Sequence, residues 1–370
     1  MFSPMENKKS ESGSRKYSIP EEIMCDIFSR LPVDSLMRFK CLSKFYNSLV
    51  SDPSFIDIHQ SHSIFRPHKI KILARSKDKN IFYTIEQQAE HKKPIVIEEF
   101  DGTICHNFHY VNGLFCLWST KELPPSIYNP ITGIAEYLPS PSFINDDLTH
   151  NYYSFGFEPN EKKFKILMSS DPQINGSRHW VLTLGSSESW REIKSAPCSL
   201  LQLTGGEICI KGVIYFVGIH NKRRCIVAFN IRMENFRIIS LWDVFDFFMP
   251  RKFYHDLVEV EGKLAIIDRS RCNMGEMDLM VLQSCETEEW VKHIIIFSDA
   301  LCSSLKTLDF FCSSTPDGEI VCIFDQRNLI LFYDLKKKSW REIKITELAD
   351  KLEIVGIYSQ ANNLLPCIYC

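Results

Sequence analysis

Val181–Ser195 reads VLTLGSSESWREIKS, and its second half returns far along the chain. Leu329–Lys344 reads LILFYDLKKKSWREIK, so Trp190-Arg-Glu-Ile-Lys194 recurs letter for letter as Trp340-Arg-Glu-Ile-Lys344. Self-similarity at a fixed period decides architecture before any local propensity does. Weaker copies place an aromatic at Tyr137, Phe236 and Trp290, giving anchors 46 to 54 residues apart. Each anchor follows an apolar run that ends in polar residues: IYNP before Tyr137, IVAFNIRMEN before Phe236, LMVLQSCETEE before Trp290. Upstream of most of them an X-Gly pair separates two apolar runs, at Asn112-Gly113, Lys211-Gly212, Glu261-Gly262 and Asp317-Gly318. That is the chemistry of a tight hairpin turn.

Each unit therefore reads as four antiparallel strands, a to d, in about 50 residues, the length of a propeller blade. In one unit strand a is FHYV, b is LFCLW, c is SIYNP and d is IAEYLP, and five such units run from about 105 to 347. KIKILAR, IFYTIE and IVIEEF before them, with EIVGIYS near the C-terminus, can supply a sixth. Joining a terminal strand to strands from the other end of the chain leaves no free sheet edge. The expectation is an all-β, propeller-like domain over 64–366, with six blades preferred and five or seven as alternatives. A two-layer β-sandwich would not explain the period.

Before residue 65 the period is helical. Ile19–Pro53 reads IPEEIMCDIFSRLPVDSLMRFKCLSKFYNSLVSDP. Ser18-x-x-Glu21 is a capping-box pattern with Pro20 in the first turn, and Ile23, Met24, Ile27, Phe28 and Leu31 follow at helical spacing. Pro32 stops that helix, and Asp34 is placed to cap a second one carrying Leu36, Met37 and Phe39. Leu42, Phe45, Tyr46, Leu49 and Val50 make the apolar stripe of a third, which Ser51-Asp52-Pro53 ends. A segment of this size rarely buries enough surface to stand alone. Its apolar faces need the rest of the chain or a partner.

This stretch resembles an F-box, the motif that docks a protein onto the Skp-type adaptor of a cullin ubiquitin ligase. The residues that carry the resemblance are Ile19-Pro20, Ser29-Arg30-Leu31-Pro32-Val33, Ser35-Leu36, Arg38-Phe39-Lys40-Cys41 and Ser51-Asp52-Pro53. It implies adaptor contacts from Ile19, Pro20, Ile23, Ile27, Leu31, Pro32, Leu36, Phe39, Cys41, Leu42, Tyr46 and Leu49. Tyr46 departs from the family, which usually has Trp there; its added hydroxyl wants a partner when buried. The larger region resembles the kelch-like F-box-associated domain of plant F-box proteins, including the S-locus group, through NP-x-T-G-x-x-x-x-L-P at Asn129–Pro139 and the W-R-E-I endings. The implied fold class is α+β multidomain, an all-α F-box at 17–63 followed by the propeller. The implied role is a non-catalytic adaptor in the cytoplasm or nucleus, bridging the Skp-type subunit, and through it the cullin, to a protein target for ubiquitination and degradation; the alternatives are an F-box protein that sequesters its partner outside the ligase and a propeller enzyme.

Composition agrees with that class. The chain has 370 residues, 45% hydrophobic and 24% charged, and a formal net charge of −3. Near-neutrality with no Lys/Arg stripe gives no footprint for nucleic acid. No apolar run approaches the ~20 residues of a membrane span. Residues 1–16 read as a polar, disordered leader without a signal-peptide core, and 367–370 as a tail. Several of the 14 cysteines sit inside apolar strands, which points to a reduced intracellular protein rather than a disulfide framework. The sequon Asn175-Gly176-Ser177 is then unused.

No nucleophile–base spacing, phosphate loop or paired C-x-x-C appears, so no catalytic residue, metal or cofactor is expected. His59-x-x-His62 and His106-x-x-His109 are isolated pairs without thiolates at zinc-site spacing. Cys367-Ile-Tyr-Cys370 fits a prenylation signal poorly. The a–b and c–d turns of a blade share one end, and here they are short. The b–c and d–a connections share the other and read as longer, from Ser119–Ser126 and Ser142–His150 through His220–Arg224, Asp243–Phe253 and Ser270–Met277. Binding residues concentrate on such loops. The candidates for target binding are the basic tip Lys222-Arg223-Arg224 and the aromatics Trp242, Phe245 and Phe247.

Overall fold

The structure is a computed structural model that describes residues 19–63, 70–76, 81–86, 95–99, 107–118, 124–130, 134–140, 151–170, 178–185, 189–194, 200–202, 206–221, 223–241, 255–298, 310–324, 329–344 and 352–359. The chain divides into two compact units, 1–66 and 67–370.

Among its described residues the first unit holds four helices: α1 (Glu21–Ser29), α2 (Val33–Lys40), α3 (Lys44–Ser51) and α4 (Pro53–Ser63). Pro20 and Pro32 occupy the N-cap positions of α1 and α2, with no side-chain cap on either helix. Asp34, expected as the cap of α2, therefore lies inside its first turn; Ser18 is outside the described residues. Ser43 caps α3, its hydroxyl accepting from the Tyr46 N–H at 3.3 Å. The pattern predicts three helices, but a fourth starts where the third stops. Asp52 Oδ1 accepts the N–H groups of Ser54 at 2.8 Å and Phe55 at 3.2 Å, and Pro53 takes the first helical position, where its missing N–H costs nothing. Phe28, Val33, Leu36, Leu49, Val50, Phe55 and Ile56 form the buried core of this unit. Phe28 stacks on Tyr46 with centroids 5.2 Å apart and meets the edge of Phe39 at 4.8 Å.

The second unit is all-β. Its described residues form six antiparallel sheets, and sequence neighbours pair within each. The second sheet runs Asn107–Val111, Leu114–Trp118, Ser126–Asn129 and Ile134–Tyr137, the strands a to d that the sequence outlines. The third has Asn151–Glu158, Lys163–Ser170, His179–Thr183 and Arg191–Glu192. In the fourth, strand a is broken into Leu200–Gln202 and Ile208–Ile210, both paired with Val213–His220; Arg223–Asn230 and Asn235–Ser240 follow. The fifth comprises His255–Val260, Lys263–Asp268, Glu276–Ser284 and Glu289–Ile296, and the sixth Phe311–Ser314, Ile320–Phe324, Leu329–Asp334 and Ser339–Lys344. The first sheet draws on distant parts of the chain: Leu352–Ser359 pairs with Ile70–Ser76, which continues to Ile81–Glu86 and Ile95–Glu99.

Turn chemistry explains the registers. Asn112-Gly113, Lys211-Gly212 and Glu261-Gly262 each have positive φ at both residues, 46° and 94°, 47° and 80°, 51° and 74°. Those are two-residue I′ turns, whose twist matches that of the flanking strands. At the c–d turns the polar residue that ends strand c caps the loop. Asn230 Oδ1 accepts from the Met233 N–H, Asp334 Oδ1 from Lys336 and Lys337, and the Ser284 hydroxyl from Glu286 and Thr287. The fourth loop residue, Glu234, Lys338 or Glu288, is left-handed in all three.

The anchors then fall in register. Phe236 pairs with Phe229, Trp290 with Leu282 and Trp340 with Tyr333, each one step beyond the c–d turn. Tyr137 does not belong with them: Ala135 opposes Tyr128 in that register, and Tyr137 is exposed. The aromatics pack against the end of strand d in the preceding sheet. Trp190 Nε1 donates to the Pro139 carbonyl at 2.8 Å, and Trp340 Nε1 to the Ile296 carbonyl at 2.9 Å, with its ring stacked on Phe297. Trp290 packs beside Ile239 and Leu241, and its buried Nε1 has no acceptor among the described residues. Trp190→Phe should therefore cost about 1 kcal/mol more than Trp290→Phe in urea unfolding, because it alone orphans a carbonyl. Equal losses would show that the indole bond contributes nothing.

Sheets meet through interlocking apolar faces and a few buried polar pins. Gly156 lets strand a of the third sheet approach the fourth, where an added Cβ would come within 2.4 Å of Ile231 and 2.7 Å of Ile214. Lys165, nearly buried, donates to the Ile231 carbonyl at 2.9 Å and to Glu234 at 2.6 Å, and Glu234 also pairs with Arg191 at 2.5 Å. Burial alone would raise the Glu234 pKa, but the bonds from Arg191 and Lys165 outweigh it and hold the carboxyl below its usual value.

Candidate functional site

The helical unit exposes large apolar side chains that its core cannot use. Ile23 and Ile27, one turn apart on α1, are 52% and 46% exposed, Ile19 54% and Leu42 69%. Single exposed apolar residues are ordinary, but this concentration on so small a unit marks an interaction surface. Of the twelve adaptor-contact residues that the resemblance implies, Pro20, Pro32 and Cys41 are also exposed, and Leu31, Phe39 and Tyr46 are half-buried. Leu36 and Leu49 are different. Both are buried in the unit's own core, so they can only support the surface. Phe45 is exposed and absent from the implied set; its place three residues after Leu42 was the available signal. Tyr46 keeps the ring's structural role, stacked on Phe28 and beside Phe39 at 5.7 Å.

Of the connections on the second unit expected to be long and irregular, most lie outside the described residues, and the two that are described, His220–Arg224 and Ser270–Met277, are short. His220–Arg224 is a tight hairpin and not an irregular loop. His220 pairs directly with Arg223, and Asn221 at the tip takes a left-handed φ of 51°, which Asn tolerates. Arg223 is exposed; Arg224 is half-buried opposite Ile219, and burial pushes its guanidinium pKa down. Lys222, Trp242, Phe245 and Phe247 lie outside the described residues, as do most of the long connections. In the fifth sheet the b–c connection is a short 3-10 turn, Cys272–Met274, closed by Gly275 at φ 86°.

Around this end the charges are already paired with one another. Arg269 Nε meets Asp256 Oδ2 at 2.7 Å, and the same oxygen accepts the Cys312 N–H at 3.1 Å; the guanidinium lies over Phe310 at 5.0 Å. Arg271 binds Glu276 at 3.1 Å and also Asp278, which takes Lys292 at 2.7 Å. Burial lowers the pKa of His255; Asp268 opposes that, while Arg224 and Arg269 add to it. Arg224, one residue of the predicted basic tip, thus lies beside a cluster of mixed sign.

The inner strands hold a cluster that no local signal announces. His109 Nδ1 contacts Glu207 Oε1, and the Ser154 hydroxyl donates to Glu207 Oε2, so residues of the second, third and fourth sheets converge. Burial pushes the His109 pKa down to about 3. Both carboxylate oxygens are occupied and the serine bonds to the glutamate instead of the histidine. That is a buried pin between sheets, not a nucleophile with its base. His59 and His62, isolated in the sequence, bond to the Leu31 carbonyl and the Ser29 hydroxyl. Among the described residues no group of three or more His, Cys, Asp or Glu is placed to hold a metal, and no helix is long and apolar enough to cross a membrane.

His179 yields a pH prediction. It is fully buried, its Nδ1 is 2.9 Å from the Ser169 hydroxyl, and burial pulls its pKa down to about 4. A histidine that folding depresses stabilises the fold above its unfolded pKa of ~6.5, and that stability drains as pH falls toward the folded value. Between pH 7 and 5 the loss from His179 should be about 2 kcal/mol. His179→Gln should flatten that part of the urea-midpoint profile; an unchanged profile would acquit His179.

A helical unit with exposed apolar side chains and a separate antiparallel β-propeller thus make up the two parts of the chain. The chain belongs to the family described as the F-box associated beta propeller domain, which matches residues 69–367, and the F-box domain matches residues 17–57. F-box protein At5g65850 of Arabidopsis thaliana is 30% identical over 364 residues, covering 92% of this chain and 88% of its own length. F-box protein At3g57590 of the same plant is 30% identical over 361 residues, covering 91% and 87%. An F-box is in general a module for binding a Skp-type adaptor.

Proposed function

We propose that the chain is the target-recognising subunit of a Skp–cullin–F-box ubiquitin ligase. The helical module, 17–63, holds the Skp-type subunit and through it the cullin; the propeller, 64–366, holds a protein target that is then ubiquitinated and degraded. The observation that carries this reading is the set of exposed apolar residues Ile19, Ile23, Ile27, Leu42 and Phe45 on a module too small to need them elsewhere. The chain itself performs no bond chemistry. Its mechanism is effective concentration: a bridge turns a rare encounter between a target lysine and the charged conjugating enzyme into an intramolecular one. Such a subunit works in the cytoplasm or the nucleus.

Target recognition is assigned to the end of the propeller carrying the b–c and d–a connections. Affinity capture under proteasome inhibition tests the whole scheme, comparing wild type with a docking-deficient module. Targets should accumulate on the deficient variant, and identical capture by both would contradict turnover through the ligase. Within the target face, replacing Trp242 and Phe245 with Ala should reduce target ubiquitination more than replacing Arg223, since rim charges contribute little in water. Normal ubiquitination by both variants would move the binding face to the other end.

A further inference from the structure

Helix α4 runs to Ser63, six residues beyond the F-box match at 17–57, and its last two turns carry His59 and His62. Both reach back to the corner between α1 and α2. His59 is fully buried, and its Nε2 lies 2.9 Å from the Leu31 carbonyl oxygen. His62 Nδ1 lies 3.3 Å from the Ser29 hydroxyl, whose own proton goes to the Asp26 carbonyl at 2.9 Å. With that proton committed, the Ser29 oxygen accepts and His62 donates from Nδ1. A carbonyl can only accept, so His59 donates from Nε2.

The Leu31 carbonyl belongs to the peptide plane that carries the Pro32 ring. Leu31 sits just past the end of α1, where its N–H bonds to the Phe28 carbonyl at 2.9 Å, and Pro32 brings no N–H of its own to the corner. The Pro32 carbonyl is already used by the N–H groups of Ser35 and Leu36. The orientation of the Leu31–Pro32 plane is therefore set from beneath by a side chain 28 residues away. That plane decides where the exposed Pro32 ring and the half-buried Leu31 side chain point. Both belong to the docking surface.

We propose that His59 is a positioning residue for adaptor docking: it never touches the partner, but fixes the Leu31–Pro32 corner in the orientation the partner meets. The functional docking module then extends through α4 to at least His59. This rests on the reading of the helical unit as an adaptor-docking module.

The test uses the full-length chain and a purified Skp-type adaptor, with affinity measured alongside the helical signal and thermal midpoint. His59→Leu keeps the volume and loses the donor; His59→Gln keeps an N–H donor able to reach the Leu31 oxygen. Ile56→Ala, which removes buried apolar volume from the same helix without touching the corner, controls for simple loosening. His59→Leu should weaken binding about tenfold, as expected when a buried acceptor loses its donor, and His59→Gln should restore most of that. Ile56→Ala, though comparably destabilised, should bind nearly as wild type while folded. Three results would overturn the proposal: His59→Leu binding as wild type, His59→Gln binding no better than His59→Leu, or affinity tracking the thermal midpoint across all three variants. Failure of the wild-type chain to bind any adaptor would instead remove the docking reading, and this inference with it.

Discussion

Replacing Leu31 and Pro32 together with alanine is expected to abolish co-purification of the Skp-type adaptor. The pair forms the corner between α1 and α2, with the Pro32 ring exposed and Leu31 half-buried, flanked by exposed Ile27. Removing an anchor of this kind from an interface costs about 2–4 kcal/mol, roughly 30- to 1,000-fold in Kd. The double variant should leave the remaining helical core intact, because Phe28, Val33, Leu36 and Val50 are buried elsewhere in the unit. Its helical signal should persist. Undiminished capture of the adaptor would end the assignment of this face. Tyr46→Trp is the opposite case: its ring already stacks on Phe28, so docking should be equal or tighter.

Deleting Glu353–Ser359 is expected to give insoluble protein. That strand pairs along its length with Ile70–Ser76, from Ile70 opposite Ser359 to Ser76 opposite Leu352. It also contributes Ile354, buried at 2% exposure, to the core that Ile72 and Ala74 share with Val321, Ile323, Ile330 and Phe332 of the sixth sheet. Its loss would expose both that apolar seam and the open edge of Ile70–Ser76, a template for pairing between molecules. Ile354→Ala alone should cost about 2–5 kcal/mol, a large part of the ~5–15 kcal/mol that typically holds a domain together. A soluble deletion product with the wild-type thermal midpoint would show that the first sheet closes without it.

What was legible in the sequence was whatever depends on neighbours along the chain. Three of the four X-Gly pairs between apolar runs form two-residue turns, Asp317-Gly318 lying instead in a five-residue connection between Ser314 and Ile320, and a polar residue at the end of strand c caps the next turn. From these the four-stranded units could be outlined in advance; that EIVGIYS pairs with KIKILAR in particular, some 280 residues away, is seen only in the structure. Tyr137 was misread because an aromatic two residues past the register position looks the same in a string of letters as one on it. The fourth helix was missed because Asp52-Pro53 both ends one helix and begins the next. Leu36 and Leu49 share a helical stripe with residues that face outward, and a stripe does not say which edge is covered by the next helix.

The site-level omissions have another cause. Glu207 meets His109 and Ser154, and His59 meets Leu31, only because sheets or helices far apart in sequence are brought together. A lone buried acid or histidine carries no pattern of its own. Signals of that sort are read from packing.

The first sheet also orders events during synthesis. Its strand at Ile70–Ser76 leaves the ribosome soon after the helical module, but its partner at Leu352–Ser359 follows only some 280 residues later. At roughly 5–20 residues per second the interval is on the order of 14 to 55 seconds, whereas a small helical module folds in microseconds to milliseconds. For that time the second unit of a nascent chain is still open along the seam that Leu352–Ser359 will close. On the proposed function, a chain truncated in that window whose helical module folds with adaptor as its partner would act as a dominant negative, competing for adaptor and delivering no target. Premature stop codons between the second sheet and residue 352 should therefore interfere with other F-box proteins drawing on the same adaptor pool, in proportion to how well the truncated chain escapes degradation.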